Sequence, residues 1–212
     1  MSPSIARTFS SSRLKQVALC TGLAVLLLAG FSGSARAAAT EAAAGPAITL
    51  KGTQTLTGRF THEHPIQGYD KPMRSEGRFT VASDGRIVWT IEKPMATTTT
   101  ITPDGLTQSV GNFTLLRLTP KQMPFLSEIQ RSLLWALSGQ WDKLKEDYDV
   151  KHFGAAEKWE VTITPKEIRQ TAMPRPFRTL TARGGKFVEN ATVLLNNGVT
   201  DQVNFSQTML TP

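Results

Sequence analysis

The chain has 212 residues, with 24 Lys and Arg against 17 Asp and Glu, three His and a single Cys. Its formal charge is +7, but Arg7, Arg13, Lys15 and Arg36 fall in residues 1–37 with none of the acids, so the remainder carries 20 basic against 17 acidic groups, a net +3. That near balance removes the main electrostatic support for a nucleic-acid partner. Cys20 lies in the same stretch, so the remainder excludes disulfides, thiol catalysis and cysteine-ligated metals.

Residues 1–37 have the layout of a cleavable secretory signal peptide: a basic start, the apolar run from Val17 to Phe31, then Ser34-Ala35-Arg36-Ala37 supplying small residues for a signal peptidase. A retained membrane anchor is the weaker reading, because a spanning helix wants about 20 apolar residues and this run is shorter, with Gly22 and Gly30 inside it. A lipoprotein acylated on Cys20 is disfavoured too, since Leu19 stands where a small residue is expected and most of the apolar run follows the cysteine. The expected setting is the periplasm of a Gram-negative bacterium. What remains, about 175 residues, suits one domain with a sizeable core.

The Ala-rich stretch with a Gly-Pro stop predicts a flexible arm over 38–52, leaving a single domain over 53–212. Leu56, Gly58 and Phe60 share one face of a first strand, and Gly77-Arg-Phe-Thr-Val81 makes a second. A hairpin turn at Ser83-Asp84-Gly85 leads to a third, with Ile87, Trp89 and Ile91 on its oily face. The threonines 97–100 run through Ile101 to a Pro103-Asp104-Gly105 turn, and 112–118 supply a further strand. From Gln122 the period changes. Phe125, Leu126, Ile129, Leu133, Leu134 and Leu137 recur at helical spacing, with Pro124 in the first turn and Gly139 past the end, and a short helical stretch is expected at 140–146. Strands resume over 159–164, 177–182, 186–195 and 200–206, with a strong hairpin signal at Asn196-Asn197-Gly198. Strands, then helix, then strands without β-α-β alternation predict a mostly antiparallel α+β fold whose apolar face is covered by the central helix.

Nothing in the sequence composes a catalytic site. No serine lies in a Gly-x-Ser-x-Gly elbow, the acids sit in turns or on the charged segment 142–149, and no Gly-rich loop opens a helix. His62-Glu63-His64 places two imidazoles on one side of a strand, but a metal site needs a third ligand and His152 is far along the chain, so neither a metal nor a cofactor is expected.

Arg59-Phe60, Gly77 to Val81, the Trp89 to Pro94 spacing and Asp104-Gly105 resemble the LolA family of periplasmic outer-membrane lipoprotein carriers. So do the helical stretch ending near Trp141, the segment Val161 to Lys166, and the terminal hairpin with Asn197-Gly198 and Phe205. The likeness runs from about residue 56 to 207. It implies an incomplete, strongly curved antiparallel barrel closed by a helical lid. It implies, too, a monomeric carrier that is no enzyme and holds acyl chains of lipoproteins or another lipid between inner and outer membranes. The partners it implies are an inner-membrane release complex and an outer-membrane acceptor. The lipid cavity would be lined by Phe79, Ile87, Trp89, Ile91 and Phe113 from the sheet and Leu133, Leu134 and Leu137 from the lid. The family's lid-holding arginine falls at the place of Ser83, with Arg86 three residues on as the candidate lid contact, and residues 47–55 lack the stripe of the usual N-terminal helix. The competing readings are a lipid-binding or sensor module on the same scaffold that transports nothing, and a hydrolase for which no polar residue stands out.

Overall fold

A computed structural model describes residues 45, 47–123, 126–166 and 177–212. The expected leader, Pro124 and Phe125 lie outside them. Six strands come first: β1 (Thr55–His64), β2 (Met73–Ala82), β3 (Ile87–Lys93), β4 (Thr97–Thr102), β5 (Gly105–Val110) and β6 (Phe113–Leu118). Helix α1 (Leu126–Leu137) and a 3-10 turn (Trp141–Leu144) follow. Five more strands complete the chain: β7 (Tyr148–Ala155), β8 (Lys158–Pro165), β9 (Thr179–Gly184), β10 (Val188–Leu194) and β11 (Thr200–Thr211).

All eleven strands form one antiparallel sheet in the order β6-β5-β4-β3-β2-β1-β11-β10-β9-β8-β7. The topology is two meanders, β1–β6 and β7–β11, joined at a central seam where the first strand pairs with the last. The edges β6 and β7 do not pair, so the sheet stays open, and the chain crosses from one edge to the other through α1. Leu106 of β5 and Val161 of β8 belong to the same buried core with the helix between them, so the sheet curves around its apolar face.

Alternation sets that face. Leu56, Gly58, Phe60 and His62 turn inward on β1, and Ile87, Trp89 and Ile91 do so on β3. Glycine is required where strands close up: a Cβ on Gly77 would stand 1.9 Å from the Thr90 carbonyl oxygen, at a bulge in the β2–β3 ladder. Helix α1 buries Leu126, Ile129, Gln130, Leu133 and Leu137 and ends in a Schellman arrangement. Gly139 has φ 68°, its N–H donates to the Ala136 carbonyl at 3.2 Å, and the Gln140 N–H donates to Trp135 at 2.8 Å.

Two strands escape the sequence reading. In β5 the inward position after Leu106 is Gln108, whose amide donates to the Thr99 hydroxyl at 3.3 Å in the interior, so the apolar alternation is broken. Edge strand β7 is mostly exposed, and its start at Tyr148 and Asp149 falls at the end of the charged segment 142–149, with no inward apolar alternation to mark a strand. The expected arm needs correction as well. Of 38–52, the described residues from Ala47 on are tied down: the Ile48 N–H donates to the Ser138 carbonyl at 2.8 Å, and Gln140 donates back to the Ile48 carbonyl at 2.8 Å. Ile48 and Leu50 pack against the core, and Gly45 lies against the Trp159 indole. No helix among the described residues is long and apolar enough to cross a membrane.

Candidate functional site

The second meander borders a cavity of about 40 Å3 beneath α1 and the 3-10 turn. Leu133, Ala136 and Leu137 form its roof, Trp141 and Leu144 one end, and Ile163, Leu180 and Ala191 its floor. These positions follow from local rules. The helical stripe brings Leu133 and Leu137 to one side, and strand alternation on β8 and β9 turns Ile163 and Leu180 inward. The polar lining groups are Ser132 and Tyr148, and burial pushes the Tyr148 phenol above its ordinary pKa, so the wall carries no charge. An uncharged, greasy wall can shelter a hydrocarbon.

The first meander is packed with aromatic rings. Phe60 stacks on Trp89 with ring centroids 3.8 Å apart, and Phe79 lies 6.0 Å from Trp89. Phe205 meets Phe79 edge-on at 5.5 Å and Trp89 at 6.3 Å. Phe205 also lines the cavity, so it stands between the two regions.

A family sequence model described as "Outer membrane lipoprotein carrier protein LolA" matches residues 51–211. The chain belongs to the LolA family. Among solved structures it is similar to a LolA superfamily protein from Nitrosomonas europaea, with 8% identity over 77% of this chain and 89% of that one and a TM-score of 0.38. It is also similar to the Pseudomonas aeruginosa MucA/MucB complex, with 14% identity, 75% and 52% coverage and a TM-score of 0.41. A DUF1329 family protein from Desulfovibrio piger shows 9% identity, 74% and 85% coverage and a TM-score of 0.34. No curated protein matches the sequence.

Of the residues that the LolA resemblance pointed to, Leu133 and Leu137 line the cavity. Phe79, Ile87, Trp89 and Ile91 are buried, but they fill the first meander rather than face the opening. Leu134 is half-buried and faces the β2–β3 turn, its Cδ2 3.8 Å from where a Cβ on Gly85 would be. Phe113 is a correction: it is 78% exposed, because the tight Gly111-Asn112 turn starts β6 at the rim, where the edge strand turns its first three side chains to solvent. Arg86 is another. Its guanidinium points outward with Nε 3.9 Å from Asp84, whereas the neighbouring Gly85 carbonyl accepts a 2.5 Å hydrogen bond from the buried Gln130 amide of α1. The contact between helix and turn is thus made by the Gly85 backbone, and Ser83 donates instead to the Gly52 carbonyl. The sequence reading named none of the floor residues as site residues, although strand alternation turns Ile163, Leu180 and Ala182 inward.

A second cluster, of polar groups, lies at the seam of the sheet. His64 Nδ1 is 2.5 Å from Asp201 Oδ1, and His62 Nε2 is 3.4 Å from Asp201 Oδ2. The hydrogen bond to Asp201 raises the His64 pKa, while the two imidazoles outweigh burial and hold the Asp201 carboxyl below its ordinary value.

Proposed function

We propose that this LolA-family chain is a soluble periplasmic carrier that takes acyl chains of a lipoprotein or another lipid into the space beneath α1. The observation that carries the reading is the uncharged apolar lining of the cavity, roofed by a helix that the Gln130–Gly85 bond ties to the β2–β3 turn. Each methylene removed from water contributes roughly 0.8 kcal/mol, so a hydrocarbon chain needs no polar recognition to bind.

A cavity of about 40 Å3 holds only a few water-sized spheres, far less than a whole acyl chain. For cargo of that length to enter, α1 acts as a lid that must lift from the second meander. Residues 1–37 act as the export signal, and the transfer runs from an inner-membrane release complex to an outer-membrane acceptor, with the chain a monomer and no enzyme. The small cavity also favours a second reading, a lipid-responsive module that binds without ferrying.

Mass spectrometry of protein taken natively from the periplasm tests the first step: co-purifying lipid, or saturable uptake of an added acylated peptide, is expected. Neither lipid nor uptake would overturn both readings. Uptake without delivery to outer-membrane vesicles would leave the second.

A further inference from the structure

We propose that His62, His64 and Asp201 form a binding site for one divalent cation of the zinc class. Alternation on β1 turns both histidines inward, and the ladder that pairs His62 with Val203 and Glu63 with Gln202 sets Asp201 of β11 opposite His64. Asp201 thus supplies, from 137 residues away, the third ligand that the sequence around His62 lacks. One donor atom from each residue lies within 4.8 Å of the others.

Burial and hydrogen bonding point the same way. Asp201 is 0% and His62 2% exposed, yet among the described residues His62 Nε2 and Asp201 Oδ2, which face each other at 3.4 Å, have no hydrogen-bond partner. One imidazole nitrogen and one carboxylate oxygen thus meet in the interior without a hydrogen bond, and a dication between them would satisfy both. Metal–donor bonds of about 2.0–2.2 Å in a tetrahedron set donors roughly 3.3 Å apart, and the His62–Asp201 pair already stands at 3.4 Å. His64 stands on the other oxygen of the same carboxylate and would exchange that hydrogen bond for the metal, and its ring is 29% exposed, with room to move. On the far side of His62, Nδ1 is 3.4 Å from the buried Ser75 hydroxyl, the kind of outer partner that orients a ligating imidazole.

Two imidazoles and one carboxylate suit zinc or a neighbouring transition metal; calcium takes six to eight oxygen ligands. The ion would clip β1 to β11, the seam that joins the two meanders. The inference is independent of acyl binding.

The test is calorimetric titration of Zn2+ alone into the chelator-stripped full chain, as the cell processes it and without a histidine tag, with Co2+ spectra as a second readout. One ion per chain is expected, with micromolar or tighter affinity and a raised melting temperature. His64→Ala, at the exposed side of the cluster, should weaken binding by at least about tenfold and abolish the Co2+ ligand-field bands while circular dichroism stays unchanged. Asp201→Asn should do the same, and His152→Ala should leave binding intact. No uptake by the native chain would overturn the proposal, as would undiminished binding by folded His64→Ala or loss of binding only in His152→Ala.

Discussion

The two meanders turn the same kind of face inward and use it differently. In β1–β6 the space is filled by the stacked rings of Phe60, Phe79 and Trp89, whereas in β7–β11 smaller side chains such as Ala182 and Ala191 leave a gap under α1. One half of the sheet is a solid block, and the other is where a guest has room to start. Helix α1 belongs to both, packing on β4 and β5 while roofing the second meander. On the proposed carrier reading, the helix would open away from the second meander while staying seated on the first.

Substitutions break this contrast in order of size. Trp89→Ala removes the centre of the ring cluster and should destabilise the fold by about 3–5 kcal/mol, read from the urea midpoint. Gly58→Ala probes overpacking, since its Cβ would stand 2.6 Å from the Phe79 ring. A loss of about 1–3 kcal/mol is expected there. Gln130→Leu leaves the Gly85 carbonyl without its donor and should cost about 1–2 kcal/mol, with amide exchange in α1 accelerating more than in β1 or β2. Ala191→Val, which adds volume where space exists, should change stability by less than about 1 kcal/mol. Equal costs for Gly58→Ala and Ala191→Val would erase the distinction between the halves.

Much of the first meander is legible in the sequence because its inward positions are large and apolar: Leu56, Phe60, Phe79, Ile87, Trp89 and Ile91 announce both strand and face. The helix is legible from its stripe and from Gly139, whose positive φ needs no Cβ. The cavity is less so. A cavity is made by what is small, and Ala136, Ala182 and Ala191 carry no signal in a single chain. Size misled the reading in the other direction at Phe113, where a large ring lies at the rim of an edge strand. Asp201 was hidden by distance, since only the pairing of β1 with β11 brings it to the two histidines. The contact between helix and turn was hidden because it is made by the Gly85 backbone.

The central claim is that acyl chains enter beneath α1 on the side of the second meander, and binding of a fluorescent acylated peptide to the native chain and to Ala136→Trp tests it most directly. Ala136 faces the cavity from the helix, so a bulky ring there should fill the opening. Saturable one-to-one binding by the native chain, weakened at least about tenfold by Ala136→Trp at unchanged circular dichroism, is the predicted result; a tenfold loss corresponds to about 1.4 kcal/mol. Binding of equal strength by the two proteins would contradict the account.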